Sequence, residues 1–102
     1  MKACCKAFLG EQFDGDGSVM EEIYAEYVSS TREKLEEIAR ATGAGNWELL
    51  DRLAHTIKGN ALAVGDQEMA EMAIALRGAA NLSDAEAAGA DLGRMRELAA
   101  EL

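Results

Sequence analysis

The most constraining feature of this sequence is the complete absence of proline from its 102 residues. Proline breaks helices because it lacks an amide proton and clashes with the preceding turn. Ala, Leu, Glu, Arg and Met, which favour helix over strand, are abundant. The sequence therefore predicts an all-α fold. Glycines are predicted to mark three breaks between helices: Gly10, Gly15 and Gly17, then Gly43 and Gly45, then Gly65.

Apolar residues recur at helical spacing and predict two long helices in the first two thirds of the chain. The first runs from about Val19 to Thr42, because Ser18 and Glu21 have the spacing of a capping box. The second begins after Asn46, a favourable N-cap residue, and ends near Gly65. Their predicted core-facing residues are Met20, Ile23, Tyr24, Tyr27, Leu35 and Ile38, then Trp47, Leu50, Leu53, Ala54, Ile57, Ala61 and Val64.

Two further long helices are predicted in the last third. Asp66 caps the third, and Ser83 with Glu86 forms a capping box for the fourth. Short connections make neighbouring helices antiparallel, so we expect an up-down-up-down four-helix bundle, with a possible short helix over residues 2 to 9. The predicted core-facing residues are Met69, Met72, Ala73, Leu76 and Ala80, then Ala88, Leu92, Met95, Ala99 and Leu102.

Length and composition predict a single domain spanning residues 1–102, since 49% of the residues are hydrophobic and can bury one core. No apolar stretch approaches the roughly 18 residues that a membrane span requires. Lys6 interrupts the apolar N-terminus, which is unlike a secretory signal, so we expect a cytoplasmic protein. Cys4 and Cys5 are the only cysteines, and neighbours form only a strained bridge, so we predict neither a disulfide framework nor a metal site.

The charge balance argues against two classes of partner. Nineteen acidic residues against ten basic ones give a formal net charge of −9. Such a surface repels phosphate backbones and anionic lipids, so we expect neither nucleic acid nor a membrane as a partner.

His55 is the only histidine, and its direction follows from the turn of about 100° per residue in a helix. With Leu50 as the origin, His55 falls near about 140°. The predicted core-facing residues of this helix fall within about 60° of Leu50: Leu53, Ala54, Ile57, Ala61 and Val64. The side chain of His55 is therefore predicted to point outward. An exposed histidine is either an idle surface residue or a functional one, and the helical pattern alone does not decide between them.

Two neighbours favour a functional histidine. Lys58 and Gly59 lie one turn after His55 on nearly the same face. Lysine provides a mobile cation that can reach phosphoryl oxygens, whereas glycine within a helix costs about 1 kcal/mol relative to alanine. Lys58 is otherwise a solvated charge, and Gly59 otherwise permits close packing of another helix. Each of these plain explanations is reasonable alone, but the two residues together are more suggestive.

The residues around His55 also match a known pattern. The run Ala54-His55-Thr56-Ile57-Lys58-Gly59-Asn60-Ala61, followed by Val64-Gly65, resembles the signature of the histidine phosphotransfer (HPt) family. The resemblance implies a helical phosphoryl carrier of a two-component phosphorelay, which is not itself an enzyme. The histidine of such a domain accepts a phosphoryl group from a receiver aspartate or a kinase and passes it to a receiver domain.

The resemblance assigns roles to individual residues. His55 becomes the phosphoacceptor, Lys58 offsets phosphoryl charge, and Gly59 admits the partner's loops. Asn60 belongs to the same signature and is predicted in the phosphate environment, as is Arg77 on the following helix, where many members have glutamine. Nε2 lies farthest from the backbone, so we expect the partner to reach that nitrogen and Nδ1 to have a local partner.

The remaining chemistry is expected from the partner. Asp51 precedes His55 by four residues and would favour the imidazolium form. Phosphoryl transfer commonly requires Mg²⁺, but no carboxylate cluster is predicted near His55. We therefore expect no cofactor on this chain, with the catalytic aspartate and Mg²⁺ provided by the receiver.

Two alternatives remain open at the level of sequence. The chain could be a helical interaction or dimerisation module that is never phosphorylated, although such a module would be expected to lose His55, Lys58 or Gly59. It could also be the phosphoacceptor domain of a larger chemotaxis-type histidine kinase. We expect a monomer, because a transfer site must remain accessible.

Overall fold

The computed structural model describes residues 1–102, and the chain forms five helices and no strands. The helices are α1 (Ala3–Gln12), α2 (Gly17–Ala44), α3 (Trp47–Ala63), α4 (Gln67–Asn81) and α5 (Ala85–Ala100). The predicted all-α class, the four long helices and the short N-terminal helix are confirmed. None of the helices combines the length and the apolar character needed to cross a membrane.

The N-caps of α2 and α5 differ from the predicted capping boxes. Asp16 caps α2 by accepting a hydrogen bond from the Val19 amide, so that Ser18 lies within the first turn. Asp84 caps α5 in the same way, and Ser83 adopts a positive φ of 51° in the connection. Both predicted serine caps were wrong by one or two residues. An aspartate stands one or two residues from each serine, and its negative charge also interacts favourably with the positive end of the helix dipole.

The other predicted helix ends are confirmed, except for the loops expected at two glycines. Asn46 accepts from the Leu49 amide and Asp66 from the Met69 amide, as N-cap residues do. Gly10 lies inside α1 and Gly43 inside α2 rather than in loops, and α2 ends at the left-handed residue Gly45, which has a φ of 67°.

The four long helices enclose one core. α2 and α4 each pack against both α3 and α5, while α1 packs against α2. The core contains 24 buried hydrophobic residues. Most predicted core residues are among them, and the exceptions are only partly buried: Ile23, Trp47, Leu53, Met72 and Leu102.

The N-terminal segment is tied to the bundle by a polar network around Asp66, whose side chain is fully buried. The Lys2 ammonium donates to Asp66 Oδ1 at 3.0 Å, and the Tyr27 hydroxyl donates to Oδ2 at 2.7 Å. Cys5 and Leu9 are fully buried on α1 beside this network. Both cysteines are free thiols. Burial raises the pKa of the Cys5 thiol to about 12.

Candidate functional site

His55 is exposed on α3, in the direction that its angular position predicts. It lies in a shallow polar depression that contains no hydrophobic side chain. The depression lies between α3 and α4, which pack against each other over much of their length. Its lining residues are Asp51, Arg52, His55, Thr56 and Arg77.

Arg77 joins the two helices at this depression. Its Nε donates to Asp51 Oδ1 at 2.9 Å, and its Nη1 donates to His55 Nδ1 at 3.1 Å. Both charged side chains are about one-third exposed, Arg77 at 34% and Asp51 at 32%. The structure therefore places Arg77 directly beside the imidazole, at the nitrogen for which a local partner was expected.

Asp51 is the part of this arrangement that sequence reasoning missed. We expected its carboxylate to act on His55, but it accepts a hydrogen bond from Arg77 instead. The useful signal was the pair of opposite charges on successive helices, with Asp51 one helical turn before His55. Their contact depends on the register between α3 and α4, which the sequence pattern did not give.

Lys58 and Gly59 follow His55 on the same helix. Lys58 is half-buried, and it takes part in none of the salt bridges of the structure. Gly59 is exposed, and a Cβ atom built on it would meet no atom within 4 Å. No helix of this chain therefore packs closely against Gly59, which removes the close-packing explanation within the chain.

Asn60 lies apart from the residues around the imidazole. It lines a separate depression with side chains of α2, among them Tyr27 and Ser30. Five residues after His55, it points about 140° away around the helix. The structure thus brings Arg77 to His55 but turns Asn60 toward α2, and a role for Asn60 near a phosphate stays a prediction.

Two exposed apolar side chains lie on the same two helices as His55 and Arg77. Leu62 lies seven residues after His55 on the same face of α3 and is 44% exposed. Ile74 lies one turn before Arg77 on α4 and is 53% exposed. The imidazole therefore lies near apolar surface that a partner protein can cover.

No group of three His, Cys, Asp or Glu side chains is arranged to hold a metal ion.

Comparison with protein families identifies the class to which this arrangement belongs. The model of the Hpt domain matches residues 22–102, a region that contains the whole His55 site and leaves out α1. The chain belongs to the Hpt domain family. Comparison with curated proteins and with solved structures gave no significant match.

Family membership gives the general role of the protein. Hpt domains are phosphoryl carriers in the phosphorelays of two-component signalling, where they interact with receiver domains and kinases. The resemblance of the residues around His55 to this family is thereby confirmed.

Proposed function

We propose that this protein carries a phosphoryl group on Nε2 of His55, accepting it from a receiver aspartate or a kinase and passing it to a receiver domain. The observation that carries the proposal is the exposed imidazole whose Nδ1 already has a partner, Arg77 Nη1 at 3.1 Å. Nε2 is left as the nitrogen that an incoming protein can reach. Imidazole is an effective nucleophile in its neutral form, and N-phosphorylated imidazole is reactive enough to transfer the group again.

Cationic and small residues around the imidazole support this role. Lys58 has no competing salt bridge, so its ammonium is available to offset charge on the phosphoryl oxygens. Arg77 supplies a second cation, and Gly59 leaves open the volume that a partner's loops would enter. Asn60 is assigned to the outer phosphate environment only by its place in the family signature.

The partner completes the chemistry in this proposal. The chain itself needs no cofactor, and the receiver supplies the phosphorylated aspartate together with Mg²⁺. Leu62 and Ile74 offer apolar surface for docking beside the polar depression. We further propose a cytoplasmic monomer, because docking of a receiver requires the α3–α4 face to be free.

The antiparallel up-down-up-down arrangement is part of the same proposal. Asp51, near the start of α3, contacts Arg77, near the end of α4. Tyr27, in the first half of α2, contacts Asp66 between the end of α3 and the start of α4. These contacts and the short connections support successive helices that run in opposite directions.

The proposal is tested by incubating the protein with phosphorylated receivers and kinases of its source organism. We expect phosphate on the protein that is labile to acid and stable to base, as phosphohistidine is. His55→Gln should abolish acceptance while thermal unfolding stays nearly unchanged, because an exposed side chain contributes little to the core. The absence of transfer from every donor would favour a non-phosphorylated interaction or dimerisation module. Transfer only within a longer polypeptide would favour the phosphoacceptor domain of a kinase.

A further inference from the structure

The contact between Arg77 and His55 fixes which imidazole nitrogen carries the proton. A guanidinium group has only donors and remains protonated in proteins. Nδ1, which lies 3.1 Å from Arg77 Nη1, must therefore accept the hydrogen bond. In the neutral ring the single proton is then on Nε2, because only one of the two nitrogens carries it.

This tautomer is the wrong one for phosphoryl transfer to Nε2. A nitrogen that carries the ring proton has no free lone pair with which to attack phosphorus. We propose that Arg77 is a positioning residue that holds resting His55 in the unreactive Nε2–H tautomer, and that it must leave Nδ1 before transfer can occur. This inference rests on the function proposed above, and it adds the step that makes His55 competent.

The incoming phosphoryl group provides the means of release. The group is a dianion, and its oxygens compete with Nδ1 as hydrogen-bond acceptors for the Arg77 guanidinium. When Arg77 turns to these oxygens, the ring proton moves through solvent from Nε2 to Nδ1. The Nε2 lone pair then forms the N–P bond, and the P–O bond to the partner's aspartate breaks with its electron pair on the departing carboxylate. The proton stays on Nδ1, so that charge is balanced.

Asp51 determines how firmly Arg77 is held. The Asp51–Arg77 ion pair is 2.9 Å long, but both side chains are about one-third exposed, at 32% and 34%. Exposed pairs of this kind are weak and are screened by salt. The Asp51–Arg77 ion pair is therefore strong enough to orient the Arg77 guanidinium in the free protein. It is weak enough to break when a phosphoryl dianion binds the guanidinium. Asp51 also remains one turn from His55, as an acceptor on the same face once the proton has moved.

The tautomer is tested directly by measuring the ¹⁵N chemical shifts of the His55 ring at a pH where the ring is neutral. We expect the wild-type protein to have its proton almost entirely on Nε2. Arg77→Ala and Arg77→Gln should both give a measurable population with the proton on Nδ1. Arg52→Gln is the matched control, since Arg52 lines the same depression but makes no hydrogen bond to the imidazole. A wild-type ring that is mainly Nδ1–H, or equal shifts in the Arg77 and Arg52 variants, would overturn the proposal.

The restraining effect of the Asp51–Arg77 ion pair is tested with phosphoramidate, a small phosphoryl donor that needs no receiver. The Nε2 lone pair attacks phosphorus and ammonia leaves, so the rate reports the competence of His55 itself. Asp51→Asn keeps an acceptor oxygen but loses the charge that holds Arg77, and it should speed acceptance by about two- to fivefold. An unchanged or slower rate of phosphorylation in Asp51→Asn would contradict the proposal that the Asp51–Arg77 ion pair restrains His55. Failure of all variants with phosphoramidate, together with failure of the wild-type protein with every receiver and kinase, would instead overturn the proposed function, and with it the transfer role of Arg77, even if the tautomer responds.

Discussion

Two hydrogen-bonded networks in this molecule are each built on an aspartate and a cation, and they differ in how deeply they are buried. In one, Asp66 joins the Lys2 ammonium and the Tyr27 hydroxyl, and its side chain is fully buried. In the other, Asp51 joins the Arg77 guanidinium, which in turn contacts His55, and both charged side chains are about one-third exposed, at 32% and 34%.

The difference shows how burial separates structural from functional use of the same chemistry. A buried carboxylate must keep its partners, because a lost partner leaves a charge that water cannot solvate. The Asp66 network can therefore fix α1 on the bundle but cannot rearrange at low cost. An exposed carboxylate exchanges its partner for water at little cost, so the Asp51 network can open when a phosphoryl group arrives.

The sharpest test of this comparison is the same substitution in both networks. Asp66→Ala leaves Lys2 and Tyr27 without their acceptor and removes the N-cap of α4, and it should destabilise the protein by about 3–5 kcal/mol. Asp51→Ala should cost about 1 kcal/mol or less. Urea unfolding followed by circular dichroism measures both. Equal losses would mean that burial does not separate the two networks.

Gly65, which lies beside the buried network, provides the second test. Its φ is +76°, and an added Cβ would overlap the side chain of Phe8 on α1. Gly65→Ala should therefore destabilise the protein by about 2–4 kcal/mol, through the strained backbone and the displaced α1. Combining it with Phe8→Ala should recover part of this loss in a double-mutant cycle of thermal unfolding. Independent, additive losses would show that α1 does not press on Gly65.

Alkaline pH should weaken the contacts that hold α1 and the Lys2 segment on the bundle. Burial, followed by the hydrogen bond to Asp66, raises the pKa of Tyr27, and burial raises that of Cys5 to about 12. Partial burial of Lys2 alone would lower the pKa of its ammonium, but the hydrogen bonds to Asp66 and Glu68 outweigh it, so the net shift is upward.

The sign of the pH effect is the same for all three groups. Each folded pKa lies above the unfolded value, so the unfolded chain loses its protons first as pH rises. Stability should be constant below about pH 9 and then fall, by at most about 1.4 kcal/mol per pH unit for each group. Urea unfolding from pH 7 to 11 tests this. Cys5→Ala should move the onset upward, and an onset unchanged in Cys5→Ala and in Tyr27→Phe would contradict the assignment.

The fold was predictable from the sequence because its signals are local. Helical spacing and the caps at Asn46 and Asp66 depend on residues within a few positions of each other. The caps at Ser18 and Ser83 were wrong because an aspartate stands one or two residues from each serine and caps the helix from its own position, through the amides of Val19 and Ala87. Local pattern does not decide which of two good caps the chain uses.

The site was predictable only where one helix defines it. The exposure of His55 followed from its angle on α3, and the open face of Gly59 from its place one turn later. The Asp51–Arg77 contact spans 26 positions, and the Lys2–Asp66 contact spans 64. Both contacts depend on how the helices pack against each other. Helical periodicity in the sequence does not predict that packing.

A small change in stability is expected at Gly59, and there it should oppose the change in function. Gly59→Ala should stabilise the protein by up to about 1 kcal/mol, because alanine loses less backbone entropy in a helix and the added Cβ meets no atom within 4 Å. Gly59→Gln should keep much of that gain but project into the volume through which a receiver approaches His55. Transfer from a phosphorylated receiver should therefore slow from Gly to Ala to Gln, while melting temperature stays level or rises.

Phosphoramidate, which needs no docking, should phosphorylate all three proteins at similar rates. Slower reaction with phosphoramidate as well would place the effect on the imidazole itself, and lower stability with unimpaired receiver transfer would show that Gly59 serves packing after all.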